Sequence, residues 1–316
     1  MKKILNFILK ISISIGLLVF LFNRIGISAE KTLFYIRAVE PLYFSAAVLL
    51  FIFVIYLGIV RWNMLLKAVK HDLKFKRIFI SYCGGLFFNV FLPSSIGGDI
   101  IRTTDLSLHT KDSSSILATV FLDRVVGFVG LALVAFLGFI MAYFYGLKYN
   151  PQLLLFMLFF TLLLVCIFTV LFSKKVFNLV NKFMVFSFLK NYLVKFHDCC
   201  HSFRFQKVVL VKTILISFLL QAAYSVVFCL VGLSLGIHIN IIHYFTLVPI
   251  ISSVTIIPIA VGGLGLRDNA AVVLFSALGV AADKVVAMTL INFAFLFFIG
   301  IAGGIVYAAA LYSRRL

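Results

Sequence analysis

Apolar runs of about 20 residues alternate along this chain with short polar stretches. A helix rises ~1.5 Å per residue and the hydrocarbon core of a bilayer is ~30 Å thick, so one crossing takes about 20 apolar residues. Six segments reach that length: 4–22, 41–60, 114–145, 152–172, 210–234 and 285–311. The pattern predicts a spanning helix for each. Two more apolar stretches fall short. Residues 78–92 run into Pro93 and the pair Gly97-Gly98, and residues 241–257 stop in the same way at Pro258 and Gly262-Gly263. The first covers only ~22 Å as a helix, so each reads as one limb of a re-entrant hairpin. Non-helical backbone at membrane depth is tolerated only where protein or a watery cavity satisfies it.

The polar positions set the sidedness. Linker 61–77 carries six Lys or Arg, segment 173–212 carries eight, and Arg314 and Arg315 close the chain. The alternate linkers are poorer, with Arg24, Lys31 and Arg37, then Lys148, then Lys284. Basic loops stay in the cytoplasm. That assignment lets all six spans alternate and leaves both termini cytoplasmic, as expected of a multi-pass membrane protein. Segment 4–22 follows Lys2 and Lys3 but is long for a signal peptide, and a cut after Ala29 would put Ile27, not a small residue, three positions before the new start. It reads as a retained first span.

Composition supports lipid as the solvent. Hydrophobic residues make up 64% and charged ones 12%, against roughly a quarter charged in soluble domains. No hydrophilic stretch is long enough for a second, soluble domain, so residues 1–316 read as one all-α membrane domain. The net charge of +18 sits in the loops, which fits the positive-inside pattern and gives no reason to expect a nucleic-acid partner. The five cysteines show no disulfide framework, and the run from His197 to His201 lacks a Cys-x2-Cys spacing, so no metal site is expected. The basic, aromatic stretch 183–205 reads as an interfacial helix or a solvated loop. There is no Walker loop, His-Glu-x2-His or Gly-x-Ser-x-Gly, so neither an ATP motor nor a hydrolase is indicated and no cofactor is expected.

The two breaks repeat one another. FLPSSIGGDIIR (91–102) aligns with IIPIAVGGLGLR (256–267), giving Pro-x3-Gly-Gly-x3-Arg twice, 165 positions apart, in a chain with five prolines. The same offset brings 41–60 roughly onto 210–234 and 114–145 roughly onto 285–311. The predicted architecture is therefore a polytopic helix bundle of two inverted repeats, about 1–146 and 147–316. Each has three spans and one re-entrant hairpin. Three crossings are an odd number, so the second half enters from the other side and the hairpin tips meet near the midplane, where secondary transporters bind substrate.

Several residues then carry candidate chemistry. Pro93 and Pro258 end the entering limbs by removing a backbone donor. Gly97, Gly98, Gly262 and Gly263 permit tight turns or close approach to a ligand. Asp99 stands where an N-cap belongs, and Asp268 and Asn269 help start the second returning helix. Arg102 and Arg267 lie about one turn into the returning helices, where an intramembrane charge is a functional hypothesis by default. Guanidinium groups and helix N-termini together make a site for a phosphate. The alternative is internal pairing, with Asp99 or Asp105 holding Arg102 and Asp268 holding Arg267. Arg124 could line the same cavity, with Asp123 as an internal counter-ion.

PSSIGGDIIRTTDL (93–106), ILATVFLDRVVG (116–127) and PIAVGGLGLRDNA (258–270) together resemble the flippase-like membrane domain of bacterial lysylphosphatidylglycerol synthases, which also occurs alone. The resemblance covers essentially the whole chain. It implies a membrane phospholipid or lipid-linked substrate, anionic or zwitterionic, aminoacylated or polyprenyl-linked. The sequence ends right after its last span, so the synthase domain is expected to be missing and lysyl transfer is not implied. A lipid flippase or transporter is the leading expectation, not an enzyme. One alternative is a membrane transferase acting on a lipid phosphate with Asp99, Asp105 or Asp123 as base. The other is a non-transporting partner of a separate lipid-modifying enzyme.

Overall fold

The computed structural model describes residues 28–91, 97–182, 187–255 and 264–312. The first predicted span, 4–22, and the hairpin positions Pro93, Pro258, Gly262 and Gly263 lie outside the described residues. Within them the chain is all helical, with no strand. The order is α1 (Ala29–Arg37), α2 (Pro41–Ala68), α3 (Phe75–Phe91), α4 (Gly97–Thr110), α5 (Ser113–Phe144), α6 (Pro151–Phe172), α7 (Lys174–Lys182), α8 (Ser187–Ser202), α9 (Lys207–Ser234), α10 (Ile241–Val254), α11 (Leu266–Ser276) and α12 (Ala282–Tyr312). Five of these, α2, α5, α6, α9 and α12, are long and apolar enough to cross a membrane, at the five predicted places inside the described residues.

Local chemistry sets the helix starts. Pro41 and Pro151 open α2 and α6, where the missing N–H would have had no intrahelical partner. Asp112, Asn150 and Asn240 cap α5, α6 and α10 by accepting from Ser115, Gln152 and Ile242 N–H groups. One end differs from expectation. The predicted span 41–60 continues as helix to Ala68, because Trp62, Leu65 and Leu66 carry the apolar face onward and are fully buried. Asp99 is another correction. It sits in the first turn of α4 and not at its N-cap, since Gly97 is already helical.

Hydrogen bonds tie the helix ends into two groups. At one end Glu40 N donates to Ser234 O (2.9 Å), Ser28 N to Asp283 Oδ1 (2.8 Å) and Lys284 Nζ to Gly236 O (3.1 Å). At the other, Gln206 Nε2 donates to Ala68 O (2.5 Å), His197 Nε2 to Val170 O (3.1 Å), and His71 Nε2 lies 3.4 Å from Asp112 Oδ2. The five long helices therefore run alternately between the ends. The short helices pair off: α3 packs on α4, and α10 on α11.

The core lies between α2, α9, α10, α11 and α12, where Phe228, Tyr244, Phe275 and Phe295 interlock. The face of α6 carrying Leu155, Phe159 and Leu162 is exposed, as a lipid-facing helix requires. Helices approach closely at Gly130 of α5, where an added Cβ would lie 2.5 Å from the Ser217 carbonyl carbon of α9. Small residues at such crossings replace the hydrophobic drive that lipid removes. The stretch 183–205 is not a free surface helix or loop at its C-terminal end. Cys200 and Phe203 are buried against Leu65, Leu122 and Leu171.

Candidate functional site

Arg61 of α2 donates from Nε to Asp123 Oδ1 at 2.7 Å and from Nη1 to Ser217 Oγ at 2.9 Å. Asp123, on α5, offers its second oxygen to Arg102 Nη1 at 3.4 Å. Arg102, on α4, donates to Asp99 at 2.5 Å, and Asp99 also accepts from Arg124. The result is one continuous line of three arginines and two aspartates. Arg61, Arg102, Asp99 and Asp123 are each at least 93% buried. With two carboxylates for three guanidinium groups, the line carries one surplus positive charge. Trp62 and Tyr82 place their ring faces 4.8 and 5.1 Å from the Arg102 guanidinium, a cation–π arrangement that helps keep a cation in a dry setting.

Arg267 approaches from the other half of the chain. It is the second residue of α11, less than a turn in and not the full turn expected. Its Nη2 donates to Thr289 O at 3.1 Å and lies 3.4 Å from Asp268 Oδ1. Asp268 is fully buried and turns its other oxygen back to Gly265 N at 2.8 Å, while Asn269 Nδ2 donates to Gly265 O at 2.6 Å. Both residues therefore hold the start of α11. Among the described residues the buried Arg267 Nε has no hydrogen-bond acceptor and the buried Oδ1 of Asn292 has no donor.

A cavity of about 400 Å³ lies between these groups. Arg61, Tyr82, Asp123 and Arg124 line it from the first half of the chain, and Gln221, Tyr224, Ser252, Arg267 and Asn292 from the second. Its size is that of a small-molecule pocket, and its few convergent polar groups sit in apolar walls that include Phe51, Phe128 and Leu296. Three guanidinium groups against one lining carboxylate suit an oxyanion, and arginine matches phosphate oxygens with paired donors.

The expected residues divide accordingly. Arg124 and Arg267 face the same cavity, and Asp123 serves two arginines at once. Arg102 lies behind the lining, held by Asp99 and Asp123. The expected Asp105 partner is instead taken by Arg77, at 2.5 Å. Gly97 and Gly98 are buried, and Gly98 presses on Gly85 O and Asn89 of α3, so this glycine serves helix approach. Arg61 and Arg77 were missed because each stands at the edge of an apolar run, where basic residues ordinarily belong to a loop. Asn292 and Gln221 carry no charge to set them apart in the sequence. The run 197–201 is held by packing: His197 stacks on Phe177 at 3.8 Å, Asp198 lies 3.6 Å from Lys174, and Cys200 is buried.

Comparison with known proteins adds a family. A family model described as the lysylphosphatidylglycerol synthase TM region matches residues 7–304. A UPF0104 membrane protein of Pyrococcus horikoshii is 23% identical over 293 residues, covering 83% of this chain and 85% of its own length. One from Methanothermobacter thermautotrophicus is 25% identical over 279 residues, covering 81% and 82%. No solved structure matches the chain.

Proposed function

Because the chain belongs to the lysylphosphatidylglycerol synthase TM region family, we propose that this multi-pass membrane protein moves a phosphate-bearing lipid headgroup between leaflets, holding it in the cavity of Arg61, Arg124 and Arg267. The observation that carries the reading is the Arg267 Nε, buried beside that cavity with no acceptor of its own among the described residues. An unmet buried donor costs about 1–3 kcal/mol. A phosphate oxygen relieves that cost and balances the surplus charge of the arginine line. A bare headgroup in hydrocarbon leaves each polar group unsatisfied at several kcal/mol; a polar, protein-lined cavity lowers that barrier.

The helix arrangement supports alternating access by two inverted repeats. At an offset of about 165 residues α2 corresponds to α9, α3 to α10, α4 to α11 and α5 to α12. The packing corresponds too: α3 against α12 is mirrored by α10 against α5, and α4 against α5 by α11 against α12. At 17 and 14 residues, α3 and α10 are shorter than a crossing. With α4 and α11 they form re-entrant hairpins from opposite faces. The basic end of the bundle faces the cytoplasm of an inner (plasma) membrane, with both termini on that side. The lipid's own enzyme is then a separate partner, and this chain performs no chemical conversion.

The test is transfer in proteoliposomes with headgroup-labelled phospholipids, scored by outer-leaflet accessibility. Wild type should equilibrate at least one anionic or zwitterionic lipid, and Arg267→Gln should slow that step about tenfold or more, as expected for loss of a charge-assisted hydrogen bond. Equal rates in wild type, Arg267→Gln and protein-free vesicles would overturn the reading. Chemical conversion of a lipid by the purified protein would replace it with an enzymatic one.

A further inference from the structure

A second cavity lies at the basic end of the bundle, between the start of α3 and the end of α12, with a volume of about 610 Å³. It shares no lining residue with the central cavity. Its lip is Lys74, Lys76 and Arg77, and its floor includes Phe79, Val306 and Ala309. We propose that this groove binds the headgroup phosphate of an anionic phospholipid, with an acyl chain along the apolar floor.

Arg77 is the observation that points to a ligand. It is only 8% exposed, and its Nη2 already donates to Asp105 Oδ1 at 2.5 Å. Its Nε and Nη1 are buried with no hydrogen-bond partner among the described residues. A guanidinium carries five donors and always keeps its charge, so donors left unmet in a buried setting call for an oxygen-rich acceptor. Lys74 and Lys76 are exposed and add two charges at the same lip. The N-terminus of α3, a helix of 17 residues, turns the positive end of its dipole to the same lip.

Phosphate chemistry alone does not separate a lipid from a free ion. The floor does. Phe79 and Val306 are 38% and 39% exposed beside the basic lip, and a free ion would leave that apolar surface uncovered. A diacyl phospholipid meets both features: oxygens for the lip, hydrocarbon for the floor.

The experiment titrates the purified full chain in detergent with dioctanoyl phosphatidylglycerol, counting bound lipid by native mass spectrometry. An Arg267→Gln background silences the central cavity, so that failure here is distinct from failure of the transport reading. Phosphatidylglycerol should still bind, and more tightly than dioctanoyl phosphatidylcholine. Lys74→Gln should weaken it about fivefold and Lys74→Gln/Lys76→Gln correspondingly more, at roughly fivefold per lysine. Ala309→Trp, which fills the floor from an exposed position, should abolish binding without touching the charges. Unchanged affinity in both the double lysine variant and Ala309→Trp would overturn the proposal. So would loss of all lipid binding in Arg267→Gln alone, or displacement of the lipid by an equal concentration of inorganic phosphate.

Discussion

A carboxylate that serves two arginines cannot be removed without leaving a charge alone in a dry place. Asp123 pairs with Arg61 at 2.7 Å and approaches Arg102 at 3.4 Å. Asp123→Asn should therefore cost about 3–5 kcal/mol of stability, as for breaking a buried pair from one side. Thermal unfolding in detergent measures it, and adding Arg61→Met should return part of the loss by removing the stranded charge. A fully stable Asp123→Asn would show that the site is wetter than its burial implies. For the cavity arginines the sensitive change is shape and not charge. Arg124→Lys and Arg267→Lys keep a cation but lose the planar fork. Both should lower lipid transfer while leaving the melting temperature near wild type. Arg102, Arg124 and Arg267 were legible as charges inside apolar surroundings. Arg61 was not, because it stands at the edge of an apolar run, where a basic residue ordinarily belongs to a loop.

Among elements, α5 is the central strut, packed on α2, α4, α6, α8, α9 and α10. Its crossing with α9 depends on Gly130, whose added side chain would meet Ser217 backbone. Gly130→Val should cost about 1–3 kcal/mol through overpacking, and should also disturb the Ser217 hydroxyl that accepts from Arg61. A lower melting temperature together with slower transfer is the expected pair of results; an unchanged melting temperature would mean that the helices separate freely there. The short helix α8 is docked by a neutral histidine. Burial holds the His197 imidazole below its ordinary range, while in the undocked chain it titrates near 6.5. A depressed histidine contributes fully above about pH 6.5, and its contribution falls as acid protonates the undocked form first. Hydrogen-exchange protection of residues 187–202, corrected for the intrinsic exchange rate at each pH, should therefore be lower at pH 5 than at pH 7.5, and His197→Phe should remove that difference.

At the scale of the molecule, the chain alternates between two ends of unequal charge. Lys67, Lys70, Lys74, Lys76, Lys174 and Lys175 lie at the end where α2 closes and α9 opens, whereas Lys31, Lys148 and Lys284 lie at the other. Single cysteines at Leu73 and Ile239 should accordingly label from opposite faces, Leu73 from the cytoplasm and Ile239 from outside. Labelling of both from one face would dismantle the inverted arrangement. The central cavity draws its lining from both halves, so neither half by itself carries it.

Much of this architecture is decided locally and could be read from the order of residues. Segment length and apolarity determine which helices cross, since bilayer thickness is a fixed ruler. Loop charge tells the two ends apart, and the short apolar runs 78–92 and 241–257 match the two helices, α3 and α10, that are too short to cross. Partnership was decided only in three dimensions. Asp105 stands three residues from Arg102 on one helix, as Asp99 does, and sequence spacing treats the two alike. The fold turns Asp99 toward Arg102 and Arg124, and brings Arg77 of the preceding helix onto Asp105. Coulomb attraction falls with distance, and burial multiplies it by removing water. Both distance and burial belong to the packed bundle, and so the surplus positive charge of the line became visible only once Asp99, Asp105 and Asp123 had each been matched to its arginines.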